Sequence, residues 1–258
     1  ATPLLGAPVQ NAAANVDKVV AGSLTAEGTD DLYFVRDDSG VTFTNELWLV
    51  TAVGAAATAA IAEPNGVDNV VATSLIHANN RLYFLRHNGG FDMALWVISD
   101  ANSNAGQAVS DGSAIVKVVA STMTAAGAKF YFSTNDTHGA DYFQVNTASG
   151  NGQTATASPQ HFVNPANLTA VGDRLYFVDN SRLWTVASGQ TVAVEVLNGG
   201  ASLNASLLNA AGSAALTFVA GGNFYRAVGT AVVQVTGGFD VTSVKDVDYA
   251  DNGAQRVI

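Results

Sequence analysis

The 258-residue chain is 48% hydrophobic but only 12% charged, about half the charged share of an average soluble protein, and its 11 basic and 21 acidic residues give a formal charge of −10. That sign, with no cluster of Lys and Arg, excludes a protein built to neutralise a nucleic-acid backbone, and no run of 18 apolar residues is present to cross a bilayer as a helix. The absence of cysteine excludes disulfides, thiolate metal sites and thiol nucleophiles together.

The chain begins Ala1-Thr2-Pro3-Leu4-Leu5, without a charged start or a sustained apolar core, so no signal peptide is read: the chain is a mature one or never had one, and its low Lys and Glu with high Thr, Asn, Gly and Ala content lead to the expectation of a processed, exported bacterial protein. Segment 3–9 resembles the outer strand of a unit. From there onward Ala, Val, Thr, Asn, Ser and Gly dominate, residues that suit short strands and tight turns.

A short motif then recurs along the chain: Leu32-Tyr33-Phe34, Leu82-Tyr83-Phe84, Phe130-Tyr131-Phe132, Leu175-Tyr176-Phe177 and, decayed, Leu216-Thr217-Phe218. Its third positions lie 50, 48, 45 and 41 residues apart. A second motif follows each copy: Leu47-Trp48, Leu95-Trp96, Tyr142-Phe143, Leu183-Trp184 and Phe224-Tyr225. The cleanest copy predicts four strands, at 167–171, 174–178, 182–186 and 191–197, separated by Gly172-Asp173, Asp179-Asn180 and Ser188-Gly189. Units of 40 to 50 residues with four strands apiece predict an all-β fold, a β-propeller of about six short four-stranded blades whose aromatic pairs pack blade against blade.

At the C-terminus 242–247 resembles a first strand, and 254–258 falls where the next copy of the first motif is due, 39 residues after Phe218 at Val257. The expectation is a single domain, 1–258, with units at 12–62, 63–112, 113–160, 161–200, 201–238 and 239–258 plus 1–11. The N-terminal strand would close the last blade and remove two open edges. Five blades is the alternative, with the tail a cap.

The sequence resembles the secreted bacterial propeller repeats named for a Glu-Leu-Trp (ELW-type) motif. Glu46-Leu47-Trp48 matches in full, Ala94-Leu95-Trp96 continues to Ser99-Asp100 as that family's serine-aspartate-glycine segment does, and Asn135-Asp136-Thr137-His138-Gly139 looks like its histidine-glycine loop. The acidic residue is absent from the other tryptophan motifs, and the fifth copy has almost lost the pattern. The resemblance implies fold and export rather than activity.

The search for chemistry returns no catalytic residues, no metal site and no cofactor. His77, His87, His138 and His161 lie in different units and form no ligand-spaced pair. There is no Gly-x-Ser-x-Gly elbow and no phosphate loop. A glycosidase needs two spaced carboxylates, but Asp37, Asp38, Asp92, Asp111, Asp136 and Asp179 all read as turn residues. The tail run from Asp246 to Gly253 has Ala250 where a calcium loop needs an oxygen ligand, and it reads as a strand entering an Asn-Gly turn.

The distance between the two motifs locates an expected binding rim. It is 14, 12 and 11 residues in the first three units but 7 in the fourth and fifth, so the first three carry residues beyond the needs of a hairpin. Neutral loop drift, which surface loops tolerate at little entropic cost, is the readier explanation of such lengths. These loops are expected to hold Arg36, Asp38 and Phe43, then Arg86, His87 and Phe91, then Asp136 and His138. The function expected is a non-catalytic binding or structural module of a bacterial surface or secreted assembly, with a protein partner or a glycan. The alternative is a lectin or carbohydrate-active enzyme on a propeller scaffold.

Overall fold

Strand-forming triplets such as Leu82-Tyr83-Phe84, each flanked by turn residues, become the second strands of five antiparallel four-stranded sheets in the computed structural model. It describes residues 10–11, 14–15, 19–27, 31–37, 45–50, 58–59, 69–87, 92–99, 106–112, 115–135, 142–146, 152–160, 162–187, 189–236, 247–249 and 255–257. The first sheet comprises Thr25–Glu27, Asp31–Asp37, Asn45–Val50 and Thr58–Ala59. The second comprises Ile76–His77, Arg81–His87, Met93–Ser99 and Gln107–Ala108. Thr124–Ala126, Lys129–Ser133, Tyr142–Asn146 and Ala155–Ala157 form the third. The fourth holds Ala166–Val171, Arg174–Asp179, Arg182–Val186 and Val194–Glu195, and the fifth Ala205–Ala211, Ala215–Ala220, Asn223–Val228 and Ala231–Gln234. Strands follow chain order across every sheet, and among the described residues no sheet closes on itself.

The two sequence motifs are cross-strand partners. Phe34 lies opposite Trp48, Phe84 opposite Trp96, Phe132 opposite Phe143, Phe177 opposite Trp184 and Phe218 opposite Tyr225. The register is thus held while the separation of the paired positions along the chain shortens from 14 residues to 7, because a one-residue slip would exchange the two faces of the strand.

The chain divides into two compact units, Ala1–Val118 with Thr147–Ala155, and Val119–Asn146 with Thr156–Ile258. In the first unit Tyr33 and Val35 of the first sheet share a cluster with Leu82 and Phe84 of the second. In the second unit Tyr131 of the third sheet meets Leu175 and Phe177 of the fourth, and Tyr176 of the fourth meets Leu216 and Phe218 of the fifth. The motif therefore reads physically: its outer residues face the preceding sheet and its Tyr faces the following one, so both faces are buried and both are apolar. Two of the Tyr hydroxyls donate to turn carbonyls, Tyr83 to Gly152 at 3.2 Å and Tyr176 to Gly229 at 3.0 Å.

A hydroxyl before the first strand recurs in three sheets. Ser23 donates to the Val20 carbonyl at 2.7 Å and accepts the Val35 N–H at 2.9 Å. Ser74 does the same with Val71 and Leu85 at 2.6 and 2.8 Å, and Thr122 with Val119 and Ser133 at 2.7 and 2.9 Å. In each case the Val N–H donates to the carbonyl of that same second-strand residue at 2.9 Å. The side chain substitutes for a backbone group where a tight turn interrupts the ladder. In the fourth and fifth sheets a register shift stands there instead, with Asn167 at φ 52° and Leu207 at φ 49°.

The expected fourth strand at 191–197 is corrected. Only Val194–Glu195 pairs in the fourth sheet, and Leu197–Asn198 turns through Gly199 and Gly200 to form its own ladder with Ala201–Ser202. Asp37 and Asp179 end strands rather than occupying turns, and buried Asp179 accepts the Asn164 N–H at 2.7 Å. At the C-terminus Val247–Tyr249 pairs with Gln255–Val257, while 242–246 lies outside the described residues. Segment 3–9, expected as the closing strand, also lies outside them.

Candidate functional site

Alternation along Arg81–His87 puts Phe84 and Arg86 on one face of the second sheet, and the register puts Trp96 opposite Phe84 and Ala94 opposite Arg86. A long side chain reaches its diagonal neighbour at this spacing. The Arg86 guanidinium carbon accordingly lies 4.6 Å from the centre of the Trp96 ring. Beyond Arg86, His87 pairs with Met93, and its N–H donates to the Asn69 carbonyl at 3.0 Å. On the other side, Val109 and Ser110 follow the fourth strand; Ser110 is held by exchange with Gln153 and Ala155, at 2.9 and 2.8 Å.

These segments line an open cavity of about 340 Å³ in the first unit. Its polar lining is Arg86, His87, Asn69 and Ser110, and Trp96 stands among Ala94, Val109 and Ile115. Among the described residues the lining includes one arginine and one histidine and no acidic side chain. The volume falls at the small end of ligand pockets, roughly 300 to 1,000 Å³.

The first sheet repeats the pattern with one change. Arg36 lies over Trp48 with its guanidinium carbon 5.1 Å from the ring centre. Opposite Arg36 stands Glu46, and its Oε2 accepts the Trp48 indole N–H at 3.1 Å. Ala94 occupies the Glu46 position in the second sheet.

Of the residues expected on the rim, Arg36, Arg86 and His87 are described. They are corrected from loop to strand: Arg36 and Arg86 sit near the ends of Asp31–Asp37 and Arg81–His87, and each also bridges to a Val, Val19 or Val70, so the ladder continues past the aromatic motif. The cavity brings Arg86 and His87 together; Asp38, Phe43, Phe91, Asp136 and His138 lie outside the described residues. The sequence reading missed Asn69, Ser110 and Ile115. They sit between motifs and carry no local signal, and only sheet pairing brings them beside Trp96.

Among the described residues no three His, Asp or Glu side chains are grouped to hold a metal ion, and no helix is long and apolar enough to cross a membrane.

No family model and no curated protein matches the chain. Solved structures do. A prolyl endopeptidase from a study of two such enzymes and their inter-domain dynamics matches with a TM-score of 0.54 at 13% identity, over 93% of this chain and 38% of that one. The β-propeller domain of the Trilobed protease from Pyrococcus furiosus gives a TM-score of 0.47 at 10% identity, over 81% and 66%. An acylaminoacyl peptidase from Pyrococcus horikoshii gives 0.48 at 7% identity, over 87% and 40%. The chain spans less than two thirds of each of these proteins. At such identity the likeness is one of fold, and the class it supports is the β-propeller.

Proposed function

We propose that the chain is a non-catalytic binding or structural module of a bacterial surface or secreted assembly, working outside the cytoplasm, at the cell surface or in the periplasm. In this reading the repeat is of the Glu-Leu-Trp type, and about six blades form a ring whose last blade is completed by the N-terminal segment. The partner is a protein or a glycan, taken up on the side of the sheets where the second strands end in the first three units. The observation that carries the reading is the cavity in which Arg86, His87 and Trp96 meet. It combines an aromatic surface, donors and an apolar wall, the mixture by which binding sites fix orientation.

A carbohydrate-binding lectin or carbohydrate-active enzyme is the second reading, favoured by the indole of Trp96 in the cavity wall. The described lining offers no carboxylate, whereas glycoside hydrolysis commonly employs two. Incubation with a glycan panel, followed for binding and for reducing-end release, separates the readings. The expected result is no release; binding without release would favour a lectin, and neither would leave a protein as the partner. Released reducing ends would make the protein an enzyme.

A further inference from the structure

We propose that the cavity beside Trp96 is a subsite for one neutral sugar ring, recognised by Asn69, Trp96 and Ser110. The inference rests on the reading of this cavity as a ligand site and commits it to a glycan. Arg86 and His87 line the cavity, but each has interactions of its own within the chain, so recognition falls to the neutral polar groups. Among the described residues, the Asn69 carboxamide, the Ser110 hydroxyl and the Trp96 indole N–H form no hydrogen bond with the protein. In the first sheet the corresponding indole, Trp48, donates to Glu46 instead. Asn69 and Ser110 stand on pinned backbone: the Asn69 carbonyl accepts from His87, and Ser110 is held by Gln153 and Ala155.

A carboxamide and a hydroxyl each donate and accept, and an indole N–H donates. Sugar hydroxyls do both, so they match this set with no charge on either side. Ala94, Ala108 and Val109 supply apolar surface for the C–H groups of the ring. The Arg86 guanidinium lies over the indole, and the indole is packed against the cluster of Phe84, so Trp96 contributes its N–H edge rather than a stacking platform. A volume of about 340 Å³, at the small end of ligand pockets, suits one ring, and the open side leaves space for the rest of a glycan.

Titration of the full chain with the methyl glycosides of glucose, galactose, mannose and N-acetylglucosamine, followed by its backbone amide NMR signals, tests the proposal. Glucuronate and N-acetylvaline amide serve as the charged and the peptide-like controls. At least one glycoside is expected to bind, and more tightly than either control. Ser110→Ala and Asn69→Gly should each weaken it about three- to tenfold, the loss of one neutral hydrogen bond. Glycine adopts the Asn69 backbone, at φ 82°, without strain, and neither side chain is bonded within the protein, so melting temperatures should stay within a few degrees of wild type. Should one variant melt lower, the other decides. Undiminished glycoside affinity in both variants would overturn the inference. A control that binds as tightly as every glycoside would overturn the neutral sugar and leave the cavity a ligand site. If no probe binds, the inference falls, and the broader reading of a binding module then rests on a protein partner.

Discussion

Arg86 and Trp96 stack with the guanidinium carbon 4.6 Å from the ring centre, and Arg36 repeats this over Trp48 at 5.1 Å. A cation over an indole face gains about 0.5 to 2 kcal/mol, more as water is excluded. A double-mutant cycle on Arg86→Met and Trp96→Leu, read by urea unfolding, should give a coupling in that range. A coupling indistinguishable from zero would mean that the stack is incidental and does not fix the cavity wall.

The recurring hydroxyl predicts a selective loss. Ser74→Ala leaves the buried Leu85 N–H without its acceptor, costing about 1 to 3 kcal/mol. Ser74→Thr should cost much less, since Thr122 holds the equivalent position in the third sheet. Equal losses for the two substitutions would assign the effect to packing and not to the hydrogen bond.

This device marks a boundary of what the sequence shows. Val20, Val71 and Val119 each precede a Ser or Thr by three residues, so the pattern is visible, but its meaning depends on a strand eleven or twelve residues away. The pairing of the two aromatic motifs was legible because they recur in the same order five times and their residues are large and apolar. The fourth strand was not, because 191–197 alternates like a strand while Gly199 and Gly200 turn its end back into a separate ladder. At the cavity, Arg86 and His87 were expected in a loop, because nothing local shows that the second strand runs on past its aromatic motif. Ala94 was not legible: a small residue leaves no signal until its counterpart Glu46 is seen at the same register.

Turn glycines should differ according to their surroundings. Gly172 and Gly221 both have positive φ, 59° and 55°, and either substituted by Ala loses about 1 kcal/mol or more to backbone strain. A Cβ at Gly172 would in addition lie 2.6 Å from the Ser213 carbonyl oxygen, whereas one at Gly221 meets nothing within 4 Å. Thermal unfolding should rank Gly172→Ala well below Gly221→Ala, and a reversed order would contradict the close approach of those two turns.

Burial raises the pKa of Tyr83, Tyr131, Tyr142 and Tyr176, with the neighbouring Tyr142 and Asp173 adding to the effect at Tyr131. Their neutral forms are favoured in the folded state. The stability they confer is complete below the unfolded tyrosine value of about 10 and is lost as pH rises through the folded values. Unfolding and tyrosinate absorbance should therefore rise together above pH 10. Tyr131→Phe should be neutral or stabilising, because that hydroxyl is buried without a partner among the described residues; Tyr83→Phe should destabilise by removing the bond to Gly152. Tyrosinate absorbance that reaches its full seven-tyrosine amplitude around pH 10 with the fold intact would contradict the burial.

The most direct measurement uses the three tryptophans, Trp48, Trp96 and Trp184, whose indole N–H signals are resolved by nitrogen-15 NMR and assigned with single Trp→Phe variants. During titration with the glycan and glycoside probes, the Trp96 indole should shift in proportion to occupancy, with Trp48 and Trp184 unmoved. A probe that binds while Trp96 stays fixed, or that moves only Trp184, would place the ligand site elsewhere and contradict the account.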